Sequence, residues 1–198
     1  FQRYDAQISQ ELREKYLSIT HGKAELLDDL INELFEITLF NIYDITLQNT
    51  KINITRLLEQ LVYEFKPMLK SKNLQCNLCV DDDIMLRCDA DKIQRVFDNL
   101  LRNAVIYSFE NTDITISAQC QEDTVSIIFC NHGDTLPEEK LNRIFEQVYR
   151  LAAARSTSSG GAGLGLAIAK QIVELHNGTI VAESQEDQNK FSITLPLA

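Results

Sequence analysis

The sequence predicts an α+β fold, a two-layer α/β sandwich preceded by a long α-helix, on three observations. From about Ile8 to Asn41 there is no proline and one glycine, and Leu12, Tyr16, Ile19, Leu26, Leu27, Leu30, Leu34 and Ile37 recur largely at threes and fours. Beyond residue 50, segments with strand alternation are interleaved with three helical patterns, as expected for one mixed sheet under a layer of helices. A glycine-rich turn, GGAGLGLAIA over Gly160 to Ala169, runs without a break into an apolar helix.

Each element has a local reason. At 1.5 Å per residue the first helix would extend roughly 50 Å, too far for a small domain to cover, so it is expected to pack against partner helices, with Gly22 a weak point. Residues 1–46 form this helical part. The polar segment Tyr43 to Lys51 reads as a linker, and residues 51–198 as the second domain. There the pattern gives a strand at Lys51 to Asn53, a helix from Ile54 to Ser71, and strands at Leu74 to Val80 and Met85 to Cys88. In the next helix, Asp91 to Ser108, the residues Ile93, Val96, Phe97, Leu100, Leu101 and Ala104 make one apolar face, with Asp89 or Asp91 as N-cap. A hairpin follows, Asp113 to Gln121 and Thr124 to Cys130, breaking into a polar loop that ends at Pro137. A short helix, a lid, a helix from Leu164 to His176 and a last hairpin around Asp187 complete the chain.

Composition narrows the function classes. Nineteen basic against 29 acidic residues give a net charge of -10, which argues against nucleic acid or an anionic membrane surface as main partner. No apolar run is long enough to span a bilayer and no signal peptide opens the sequence, so a soluble cytoplasmic piece is expected, joined to a membrane only through segments outside these residues. The five cysteines, Cys76, Cys79, Cys88, Cys120 and Cys130, are expected to be buried free thiols in a reducing cytosol. Cys76 and Cys79 form an isolated C-x-x-C that a strand would split between its two faces.

The glycine-rich turn suits an anion, because glycines admit close backbone approach and the first N–H groups of a helix are unpaired donors. It has neither the dinucleotide spacing nor the lysine of a P-loop, and a lid hinge without ligand is the plainer alternative. Asn99 and Asn103 stack one turn apart on the helix upstream. They are either a solvated polar stripe, or a side-chain oxygen of the pair completes the octahedral shell of a Mg²⁺ carried in by nucleotide phosphates.

Four stretches in order, DKIQRVFDNLLRNAVIYS, VSIIFCNHGDTLP, IFEQVYR and GGAGLGLAIA, resemble the N, G1, F and G2 boxes of sensor histidine kinases, within the gyrase, Hsp90 and MutL group. The resemblance covers about Lys51 to Ala198, and KAELLDDLINELFEIT resembles the second helix of the kinase dimerisation domain. It implies the Bergerat ATP-binding fold with ATP and Mg²⁺ as ligands. Asn103 then stands as the Mg²⁺ ligand, Asn99 as its neighbour on the phosphate side, and Tyr107 against the adenine. Asn131 stands where the family carries an Asp that accepts from the adenine amine; an amide oxygen still accepts that bond without charge assistance. Gly133 lets the loop pass under the base, and Gly161, Gly163 and Gly165, with Leu164 among them, close the phosphate side. Leu164 and Leu166 are expected to turn inward as the lid's anchor. Arg155 in the lid either reaches the terminal phosphate, sharing the catalytic work with Asn99, or is solvated.

Several positions depart from the family pattern: Ile106 for a phosphate-contacting Lys, Thr135 for the second G1 glycine, and Val148 for a Phe. Phe145 either docks the helical part or packs in the core. No histidine has the acceptor context, since His21 lies in SITHGKAE and His132 and His176 fall at a loop and a helix end. The expected reaction is phosphoryl transfer from Mg²⁺-ATP to a histidine on a helix outside these residues, and then to the receiver domain of a response regulator, by a homodimer joined through its helical bundle. An ATPase is disfavoured because Asn99 occupies the place of the carboxylate that would activate water. A nucleotide-gated, non-catalytic binding module is the other alternative.

Overall fold

The computed structural model describes residues 10–42, 46–141, 143–146 and 164–197. Helix α1 spans Gln10–Ile42, and Leu12, Tyr16, Leu17, Ile19, Leu27 and Ile31 on it are exposed. Among the described residues no helix is long and apolar enough to cross a membrane.

After α1 come β1 (Thr50–Asn53), α2 (Ile54–Ser71), β2 (Gln75–Val80), β3 (Met85–Cys88) and α3 (Ala90–Tyr107). The chain continues with β4 (Asp113–Gln121), β5 (Thr124–His132), the single turn α4 (Glu138–Leu141), α5 (Gly165–Leu175), β6 (Thr179–Gln185) and β7 (Gln188–Pro196). Five strands form one mixed sheet in the order β2-β4-β5-β7-β6, in which β2 pairs parallel to β4 and the other pairs are antiparallel. Strands β1 and β3 form a separate antiparallel ribbon, which alternation alone did not distinguish from the main sheet.

Alternation places Ile114, Ile116 and Ala118 of β4, Val125, Ile127 and Phe129 of β5, and Phe191, Ile193 and Leu195 of β7 on one buried face. Helices α3 and α5 cover it through Ile93, Val96, Phe97, Leu100, Ile168, Ile172 and Val173. Asp89 is the N-cap of α3, its carboxylate accepting from the Lys92 N–H at 3.3 Å. The same carboxylate accepts the linker N–H of Gln48 at 3.0 Å. Its own backbone N–H donates to Nε2 of His176, the residue ending α5, at 3.1 Å. His176 is buried, and its Nδ1 lies 2.8 Å from the Ile172 carbonyl, so Nδ1 carries the proton and Nε2 accepts. His176 therefore joins two helices rather than merely ending one, and His132 is the last residue of β5 rather than a loop residue.

The thiols depart from the expectation of uniform burial. Cys79 and Cys120 are exposed, Cys76 and Cys130 half-buried, and Cys88 alone fully buried. Cys79 lies on the solvated face of its strand and Cys120 near the exposed end of its own, so a strand position does not ensure burial. Burial pushes the Cys76 thiol up to about 11. Burial, followed by the Asp89 charge, takes Cys88 to about 12. At mildly alkaline pH an alkylating reagent should modify Cys79 and Cys120 on the native protein and reach Cys88 only after denaturation, as peptide mass mapping would reveal. His176→Ala would leave the buried Asp89 N–H without an acceptor and should lower stability by about 1–3 kcal/mol in urea unfolding. An unchanged midpoint would show that this bond contributes nothing.

Candidate functional site

Asn99 lies at mid-helix and is only 9 % exposed, while Asn103 one turn on is half-buried, so the pair is not a solvated stripe. The Asn99 Nδ2 is buried without a hydrogen-bond partner. Its Oδ1 lies 3.0 Å from where a Cβ on Gly165 would stand, so the absence of a side chain there lets the start of α5 close on this amide. Among the described residues no side chain caps α5. The unpaired N–H groups of its first turn and the Asn99 amide thus share one small volume suited to an oxyanion. Leu164 and Leu166 are buried, turned inward as expected.

Two turns further along α3 a second group assembles. Gly133 is buried, and a Cβ there would overlap the Tyr107 carbonyl oxygen. The Gly133 N–H donates to the Asp187 carbonyl at 2.9 Å, and the Phe109 N–H donates to the His132 carbonyl at 2.8 Å. The loop after β5 is thereby held between the end of α3 and the β6–β7 turn. Tyr107 is 43 % exposed beside it, and Asn131, at the end of β5, is 2 % exposed with Nδ2 buried and unpartnered. Asn99, Asn103 and Tyr107 follow at i, i+4 and i+8 on one helix face, spanning about 12 Å at 1.5 Å per residue.

Arg155, Gly161, Gly163 and Val148 lie outside the described residues. Phe145 packs edge-on against Phe191, with ring centroids 6.5 Å apart, which is the core-packing alternative. Asp98, the carboxylate nearest Asn99 in sequence, is held above the usual range by burial and then by the Glu64 charge, against the opposing Arg102 and Arg95.

Two departures have local explanations. The Thr135 hydroxyl donates to Asp187 Oδ1 at 3.0 Å and accepts the Asp187 N–H at 2.9 Å, so a side chain bridges where the family uses glycine. The Ile106 carbonyl accepts from the Lys72 ammonium at 2.6 Å, which sets a cation at the C-terminus of α3. Sequence reasoning missed Lys72, Asp187 and Asn189. Asn189 had a signal: it is the polar member of the inward series Asn189, Phe191, Ile193, Leu195.

Residues 88–198, more than half of the chain, match the family described as histidine kinase-, DNA gyrase B-, and HSP90-like ATPase. The chain belongs to this family. It is 41% identical to the sensor protein VanSC of Enterococcus gallinarum over 97% of the chain and 53% of that protein. To the sensor protein VanS of Enterococcus faecium it is 46% identical over 92% of the chain and 47% of that protein. The chain thus spans about half the length of the curated relatives it matches, and its family portion resembles the ATP-binding domain of VanS-type sensor histidine kinases. The histidine kinase ThkA, solved in complex with the response regulator protein TrrA, has the same fold, with a TM-score of 0.79 at 23% identity over 100% of this chain and 55% of ThkA.

Within this family member, Gly133→Ala should unfold the loop rather than fill space, because backbone atoms cannot give way as a flexible side chain does. A loss of about 2 kcal/mol or more is expected in chemical denaturation, in the range of overpacked sites. Stability equal to that of the parent would contradict the contact with Tyr107.

Proposed function

We propose that the chain is the cytoplasmic ATP-binding portion of a two-component sensor histidine kinase of the antibiotic-resistance type. The observation that carries this is the row Asn99, Asn103, Tyr107 on α3, faced at one end by the uncapped start of α5 and at the other by Asn131 and Gly133. Bound there, Mg²⁺-ATP supplies the phosphoryl group and the divalent charge that offsets the phosphates. Asn103 offers a side-chain oxygen to the metal, and Asn99 directs its unpartnered amide at the phosphate chain. Tyr107 covers the base and Asn131 reads its edge. By the family resemblance, Gly161, Gly163, Leu164 and Gly165 belong to the phosphate side, and Arg155 supplies a cation for the terminal phosphate.

A histidine nitrogen on a helix outside these residues attacks the terminal phosphorus in line, the bond to the bridging oxygen breaks, and the nucleotide diphosphate leaves. The work of the chain is positioning and charge stabilisation. Asn99 cannot take a proton, which spares the nucleotide from direct attack by water. The exposed apolar residues of α1 suit packing in a dimeric helical bundle, in a protein anchored to the membrane through other segments. The family resemblance and the ThkA complex with its response regulator support a receiver-domain aspartate as final acceptor.

The test uses calorimetry and labelled ATP. Asn103→Ala should weaken Mg²⁺-ATP binding about tenfold or more with unchanged circular dichroism, since Ala is the better helix former. The 198-residue chain, saturated with Mg²⁺-ATP, should carry no phosphohistidine alone and should label a separately supplied acceptor helix. Nucleotide binding without transfer would favour a non-catalytic module, and labelling abolished by His21→Ala would place the acceptor on α1.

A further inference from the structure

Asn131 and Asn189 are register partners across β5 and β7 and are 2 % and 5 % exposed. Register partners project from the same face of a sheet with Cβ atoms about 4.5–5.5 Å apart, so the two amides are neighbours. The orientation of Asn189 is set from outside the pair: its Nδ2 donates to the Asp134 carbonyl at 3.3 Å, and its Oδ1 is buried without a partner. On Asn131 the buried, unpartnered atom is the donor, Nδ2. An unpaired acceptor and an unpaired donor thus stand on adjacent side chains, in a place where natural proteins rarely leave either unsatisfied.

We infer that Asn189 is a specificity-determining residue that fixes which way the Asn131 amide points. The polarity runs from the Asp134 carbonyl through the Asn189 amide, whose Oδ1 takes the Asn131 Nδ2–H through one bridging water. That leaves Asn131 Oδ1 for the base, where it accepts from an exocyclic amine and repels a carbonyl. The inference rests on the reading of Asn131 as the residue at the base edge. It answers a problem specific to an amide: a carboxylate presents only acceptors, whereas an asparagine turned by half a rotation presents NH₂ instead of oxygen. Unlocked, Asn131 would receive a 6-oxopurine about as well as a 6-aminopurine. Locked, it selects adenine. Asn189 acts through its neighbour and is a positioning residue.

The test compares Mg²⁺-ATP with Mg²⁺-ITP, which differ at the 6-position and N1 of the base, as competitors of trinitrophenyl-ATP. The parent chain should prefer ATP by about tenfold or more, in line with discrimination by a site built around one hydrogen-bonding pattern. Asn189→Leu should lower ATP affinity and raise ITP affinity, so that the ratio falls about fivefold or more toward unity. In an Asn131→Asp background, where no donor can be turned toward the base, Asn189→Leu should leave the ratio unchanged. Asn189→Ser, too short to span from Asp134 to Asn131, serves if the Leu variant does not fold and should shift the ratio in the same direction. Equal losses for both nucleotides, or the same ratio change in both backgrounds, would overturn the polarity lock while leaving the base site standing. Failure of both nucleotides to displace the probe from the parent chain would instead remove the base-site reading, and the lock with it.

Discussion

Helices α3 and α5 lie antiparallel over one face of the sheet and are pinned to each other at both ends of α5, and the candidate site depends on that clasp. At one end the Asp89 N–H donates to His176; at the other Gly165 closes on the Asn99 amide. The two intervals match, since 10 residues of α3 and 11 of α5 cover about 15 and 16 Å at helical rise. Between the pins the shared surface is apolar and close-packed, through Val96, Phe97, Leu100, Ile168 and Ile172, all fully buried. A glycine at the start of α5 is therefore a packing requirement as well as a feature of a phosphate turn. A side chain there would crowd the Asn99 amide, which would have to give by a few tenths of an ångström where it must face the ligand.

The same clasp receives the chain entering from α1. Asp89 accepts the linker N–H of Gln48 and also caps α3. A shift of the linker therefore acts on the residue that starts the helix carrying Asn99, Asn103 and Tyr107.

What was legible in the sequence had local causes. Helical spacing located α2, α3 and α5 within a few residues, and Asp89 was among the foreseen N-caps because a carboxylate before an apolar-periodic run satisfies otherwise unpaired N–H groups. The row of Asn99, Asn103 and Tyr107 followed from the same period. Pairing across long separations was not legible. Nothing local separates the β1–β3 ribbon from the main sheet or makes β2 run parallel to β4, since both depend on where the crossovers lead. His176 looked like a helix-end residue because its partner is 87 residues away, and Thr135 looked like damage to a glycine motif until Asp187 met it from another hairpin. Cys79 and Cys120 were misjudged for a third reason: Cys79 falls on the solvated face of β2, and Cys120, although it shares the inward face with its register partner Val125, lies near the end of β4 where the strand is exposed.

The exchange of a carboxylate for an amide at Asn131 shows how such departures can be accommodated. A charge at a position only 2 % exposed loses most of its hydration, and unless a ligand or a donor replaces that hydration the group is driven toward its neutral form. An amide avoids this cost in the empty site, because its neutral dipole is far less penalised by burial. It gives up two things in return: the strength that charge adds to a hydrogen bond, and the certainty of being an acceptor. The first loss belongs to affinity and cannot be recovered by a neighbour of neutral charge. The second belongs to orientation, and a neighbouring amide held by a backbone carbonyl can restore it. At this site that neighbour is the register partner of Asn131 on the adjacent strand, so the sheet itself supplies the geometry that the charge once made unnecessary.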